Sequence, residues 1–130
     1  MKNIFAILFC LLSFSFANSI DWSDVAKRAL KGDKFILVNV KREDCPYCES
    51  MERETFNNSS YRKRIETQYV IESVMYNQDN LPKAIKNVQF FPTNFIIDPK
   101  NMKLVDEFIG YMKPDDFTSL LKTLYEVEKN

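Results

Sequence analysis

The chain has 130 residues, 45% hydrophobic and 14% aromatic, and its 18 Lys and Arg balance 18 Asp and Glu. This length and composition suit one folded domain with a packed core and exclude a disordered chain. With no basic excess and no long charge run, nothing recommends a nucleic-acid partner.

Residues 1–19 read as a secretory signal peptide. Lys2 gives a positive start, residues 4–12 are an unbroken apolar run, and Ser15-Phe16-Ala17 and Ala17-Asn18-Ser19 are small-x-small sites. The run falls short of the roughly 20 residues a membrane-spanning helix needs. Phe9 is bulkier than the residue a lipoprotein signal carries before its cysteine, here Cys10. Cleavage near Ala17 removes Lys2 and Cys10, which leaves one basic group fewer than the 18 acidic ones, a net charge of −1. The expected setting is exported and soluble, where disulfide chemistry is possible. The expected folded domain is residues 20–130, a monomer.

Trp22, Val25, Ala26, Ala29 and Leu30 recur at helical spacing, with Asp21 near the start and Gly32 past the end. Residues 35–40 are nearly all apolar and predict a central strand buried on both faces. A second helix runs from the cysteine motif to about Phe56, with Met51 and Phe56 facing inward. Asn57 to Ser60 break it and cap a short helix over 61–67. Residues 69–76 are rich in β-branched and aromatic residues and predict a second strand.

Residues 77–80 predict a turn, followed by a short helix over 81–86. Phe90-Phe91-Pro92-Thr93-Asn94 leads into a third strand at 95–97, and a turn over 98–101 joins it to a fourth at 103–109. Pro114 opens a last helix with Phe117, Leu120, Leu121 and Leu124 on one face. The order gives a βαβ unit, then a hairpin, then a helix. An α/β fold with a mixed four-stranded sheet flanked by helices is the simplest closed solution.

The chemistry is expected at Cys45-Pro46-Tyr47-Cys48, directly after the first strand. With Cys45 at a helix start, Cys48 lies one turn on and on the same side. The two sulfurs can form a small ring or stay a dithiol, which is a redox motif in this setting. The helix start favours a thiolate at Cys45, and Pro46 suits a position where no N–H is needed. Half a zinc site is the rival, but the chain has no histidine and Cys10 is its only other cysteine, so a Cys/His zinc site lacks ligands. A structural disulfide is the other rival; so short a loop removes little unfolded-chain entropy.

With these motifs the chain resembles the thioredoxin superfamily. Besides the cysteine motif, Phe91-Pro92-Thr93 precedes a strand, Asp98-Pro99-Lys100-Asn101 sits at a hairpin turn, and Phe108-Ile109-Gly110-Tyr111 precedes the last helix. Residues 48–56 also resemble small exported bacterial thioredoxin-like proteins of the SoxW type. The Pro46-Tyr47 dipeptide is typical of glutaredoxins, without their glutathione-site pattern after the third strand.

The resemblance implies Cys45 as nucleophile and Cys48 as resolving cysteine. It implies Pro92 as a cis-proline facing them and the Phe91 backbone as the edge that pairs with an extended substrate. Tyr47 is either a substrate-contacting ring or only a helix-start residue. Of Phe90 and Phe91, one is expected in the core and the other near the site. Where many thioredoxins carry a buried acid, six residues before the first cysteine, this chain has Asn39, which cannot act as a base.

The expected activity is a thiol–disulfide oxidoreductase exported, as the resemblance implies, to the bacterial periplasm and acting on protein thiols or disulfides. It needs no cofactor beyond the Cys45–Cys48 pair and takes electrons from a membrane thiol-reducing protein. Reduction is the expected direction. No cation separates the cysteines, and Glu43, Asp44 and Glu49 oppose a thiolate unless Lys41 and Arg42 fold back toward the sulfur. The alternatives are a disulfide-forming oxidase of the same fold, or an adaptor or holdase gripping unfolded chains with Tyr47, Phe90 and Phe91.

Overall fold

The computed structural model describes residues 19–130. The expected signal peptide, with Cys10, lies outside the described residues but for Ser19. The elements are α1 (Trp22–Lys31), β1 (Phe35–Lys41), α2 (Pro46–Met51), α3 (Ser59–Glu66), β2 (Tyr69–Met75), β3 (Thr93–Asp98), β4 (Lys103–Ile109) and α4 (Pro114–Lys129). A π-helical turn, Glu52–Phe56, continues α2 without a break. The sheet order is β2-β1-β3-β4, with β1 parallel to β2 and antiparallel to β3, and β3 antiparallel to β4. This is a thioredoxin fold.

β1 is central because both its faces are apolar. Ile36, Val38 and Val40 pack with Val25, Ala26 and Ala29 of α1. Phe35 and Leu37 point the other way, into a layer built by Met51, Phe56, Ile65, Phe117 and Leu121. Each such fully buried side chain contributes roughly 1.5–3 kcal/mol relative to exposure. Tyr69 belongs to the second layer, and its hydroxyl donates to the Leu121 carbonyl at 2.6 Å. Burial pushes that phenol well above its ordinary pKa.

Local signals set the helix ends. The Asp21 carboxylate accepts from the Ser23 and Asp24 N–H groups, and Asn58 does the same for Ser60 and Tyr61. In the hairpin turn Asp98 and Asn101 accept from Lys100 and Lys103, and Met102 adopts a φ of 56°.

Two expectations fail. No helix forms over 81–86: a single 3₁₀ turn lies earlier, at Gln78–Asn80, and residues 81–92 have no regular structure. Leu81 precedes Pro82, which pushes it to extended geometry (φ −95°, ψ 152°) and ends the turn. Leu81 and Ile85 are instead buried singly in the α1-side core. The second failure is Leu30, which is 48% exposed at the last turn of α1, past the rim of the sheet-facing stripe.

Candidate redox site

β1 ends at Lys41, and a short loop with Asp44 in the left-handed region (φ 52°) turns the chain into α2. Cys45 is the extended N-cap of that helix and Pro46 its first residue. The Cys45 Sγ accepts from the Cys48 N–H at 3.2 Å, so the sulfur takes the place that a Ser or Asp oxygen holds at other helix starts. Cys45 and Cys48 are joined as a disulfide with their Cα atoms 5.2 Å apart. The pair is recessed, at 3% and 5% exposure, whereas Tyr47 between them is 66% exposed.

Across from the disulfide lies Phe91-Pro92, joined by a cis peptide bond. The Phe91 carbonyl oxygen stands 3.7 Å from the Cys45 Sγ, which brings together residues 46 positions apart. The loop is anchored at the start of β3. The Pro92 carbonyl accepts from the Gly110 N–H at 2.7 Å, and the Thr93 hydroxyl donates to the Phe90 carbonyl at 2.6 Å. Gly110 has a φ of 90°, a geometry that only glycine adopts without strain. The Phe91 ring is half-buried against the α1-side core, and Phe90 is 59% exposed.

Beneath the motif helix the sheet carries a polar pair. Asn39 and Asn94 face each other across β1 and β3, both buried, and the Asn39 amide donates to the Asn94 oxygen at 2.9 Å. The Asn94 amide lies 3.5 Å from the Met51 Sδ on the helix above. Two carboxamides satisfy each other there without a charge or a transferable proton. Sequence reading singled out Asn39 but not Asn94, whose role follows from strand register alone.

The charged neighbours are also placed. Glu43, Asp44 and Glu49 are exposed. Lys41 turns to Glu52 at 2.9 Å, and the Arg42 guanidinium lies over the Phe91 ring at 5.8 Å. Neither cation contacts a sulfur by hydrogen bond. The Tyr47 ring lies 6.3 Å from that of Tyr111, whose hydroxyl donates to Glu54 on the π-helical turn. That carboxylate holds the Tyr111 phenol above its ordinary pKa.

A model of the thioredoxin-like domain matches residues 22–125. The chain belongs to the thioredoxin-like family. No curated protein matches it in sequence. Among solved structures it resembles the reduced periplasmic thioredoxin SoxS of Paracoccus pantotrophus, at 19% identity and a TM-score of 0.57 over 72% of this chain and 97% of that one. It also resembles a thioredoxin-fold protein of Helicobacter pylori, at 26% identity and a TM-score of 0.57 over 72% and 70%. A third likeness is the oxidised DsbD C-terminal domain of Neisseria meningitidis, at 16% identity and 0.53 over 78% and 90%. Within the thioredoxin-like frame, Cys45-Pro46-Tyr47-Cys48 is the Cys-x-x-Cys segment, at the end of the central strand β1.

Proposed function

We propose that the chain is an exported thiol–disulfide oxidoreductase that reduces disulfides in proteins. The observation that carries this reading is Cys45: it caps α2, accepts the Cys48 N–H and faces an anchored backbone carbonyl. In the reduced pair, that N–H and the helix start stabilise a Cys45 thiolate. The thiolate attacks a substrate sulfur; a Cys45–substrate bond forms, the substrate S–S bond breaks, and the departing sulfur takes a proton from solvent. The Cys48 thiolate then attacks Cys45 and expels the second substrate sulfur, which is protonated in turn. Two electrons pass to the substrate and the Cys45–Cys48 disulfide remains. Pro46, Tyr47, Phe91 and Pro92 contact the substrate, and a membrane thiol-reducing protein returns the electrons.

Reduction is favoured because little holds the thiolate in place. Lys41 is engaged by Glu52 and Arg42 by the Phe91 ring. Asn39 and Asn94 cannot accept the Cys48 proton, which therefore leaves to water. Export rests on residues 1–19 acting as a cleaved leader. Among the described residues no helix is long and apolar enough to cross a membrane. Insulin reduction by catalytic amounts of the protein, with dithiothreitol as the electron source, tests the activity. Turnover above the dithiothreitol background supports it. Binding without turnover, surviving replacement of both cysteines by serine, would mark an adaptor instead.

A further inference from the structure

The Phe91 ring is gripped by two residues outside the cysteine and proline motifs. Tyr76 lies just past β2, where its N–H donates to the Lys41 carbonyl at 2.7 Å and carries the β1–β2 pairing one step further. This places the Tyr76 ring edge-on to Phe91, with centroids 5.4 Å apart and planes at 65°. Arg42, the next residue after β1, puts its guanidinium carbon 5.8 Å from the same centroid. Both distances are in the range where aromatic and cation–π contacts are attractive. Arg42 is exposed and forms no ion pair among the described residues, so this ring is its partner.

The backbone of Phe91 is in the opposite situation. Among the described residues neither its N–H nor its carbonyl has a backbone partner, and the carbonyl faces Cys45. A backbone edge left unpaired beside a reactive sulfur suits a segment that adds as a strand. Such an edge is useful only if it is held still.

We infer that Arg42 and Tyr76 are positioning residues of the exchange reaction, which fix the Phe91 ring so that its backbone edge presents an extended polypeptide disulfide to Cys45. The inference rests on the oxidoreductase reading and narrows its substrate class. The reaction of a polypeptide disulfide depends on the grip, and that of a small free disulfide does not.

The test compares single-turnover rates of the reduced full chain with insulin and with bis(2-hydroxyethyl) disulfide, a small neutral probe. Tyr76→Ala and Arg42→Ala should each slow the insulin reaction about fivefold, the factor that about 1 kcal/mol of lost ring contact represents. The small-disulfide rate should hold, and Tyr76→Phe should restore the insulin rate. Tyr76→Leu, which keeps apolar bulk, guards against a misfolded alanine variant and should be slow on insulin alone. Unchanged insulin rates, or equal losses on both disulfides, would overturn the inference while leaving the oxidoreductase reading in place. A wild-type chain inert toward both disulfides would instead overturn that reading.

Discussion

Two loops meet at Cys45, and they are built by different rules. Residues 42–48 are short and specified locally: a strand ends, a left-handed Asp44 turns the chain, and Cys45 and Pro46 start a helix. Residues 76–92 are long and nearly without regular structure, and contacts with α1, with the core and across the loop itself hold them. The Trp22 indole donates to the Asn80 carbonyl at 2.8 Å, Gln78 donates to the Ile85 carbonyl at 2.8 Å, and Leu81 and Ile85 sink into the core. The first loop carries the sulfurs, and the second brings the Phe91 carbonyl to one of them. Chemical identity is thus written locally, while the surface proposed to read a substrate depends on the whole fold.

The sharpest way to test the role of the first loop is to remove its sulfurs one at a time. Cys45→Ser should abolish exchange. Cys48→Ser should leave partners trapped as mixed disulfides through Cys45, visible as slower bands on non-reducing gels that collapse with reductant. Trapping through Cys48 in the converse variant would reverse the two roles.

The second loop should be broken from the core. Ile85 is fully buried, and Ile85→Ala should cost about 2–5 kcal/mol in urea denaturation. A loss below about 1 kcal/mol would mean that the loop is not anchored there, since even Ile→Val in a core costs about that much. A smaller effect is expected where the loop joins β3. Gly110→Ala meets open space but must adopt a φ of 90°, at a cost of about 1–2 kcal/mol, and it shifts the N–H that holds Pro92.

Legibility in the sequence follows the same division. The apolar run of β1, the helix start at Cys45-Pro46 and the turn at Asp98 are short-range patterns, and each lies where its residues imply. The helix expected over 81–86 failed because Leu81 and Ile85 are spaced alike in a helix and in a loop that buries them singly. Asn94 and Tyr76 carried no local signal, and Arg42 reads locally only as a cation near the cysteines. Their partners Asn39 and Phe91 are distant in the chain and adjoin them only through strand order and register.

The smallest expected effect lies far from both loops. Asp33 pairs with Lys129 at 2.6 Å, and the hydrogen bond from that ammonium holds the carboxyl below its ordinary value of 3.8. A depressed folded-state pKa adds stability that is present above the unfolded value and lost as pH falls through the folded one. Asp33→Asn should therefore lower stability slightly at neutral pH and leave it unchanged at strongly acid pH. Urea midpoints at neutral pH and at strongly acid pH, where the carboxyl is protonated in both states, check the sign.

The reduction potential of the Cys45–Cys48 pair tests the central claim most directly. On the proposed mechanism the Cys45 thiolate has a helix start and one N–H to stabilise it, with no cation hydrogen-bonded to the sulfur and an uncharged Asn39–Asn94 pair in the sheet below. Equilibration with glutathione redox buffers should give a value nearer that of thioredoxin, about −270 mV, than that of a strong oxidase, about −120 mV. The two differ by roughly 7 kcal/mol for a two-electron couple and are easily separated. A value above about −150 mV, near the oxidase end of that scale, would contradict the reductase account and assign the same two sulfurs to disulfide formation.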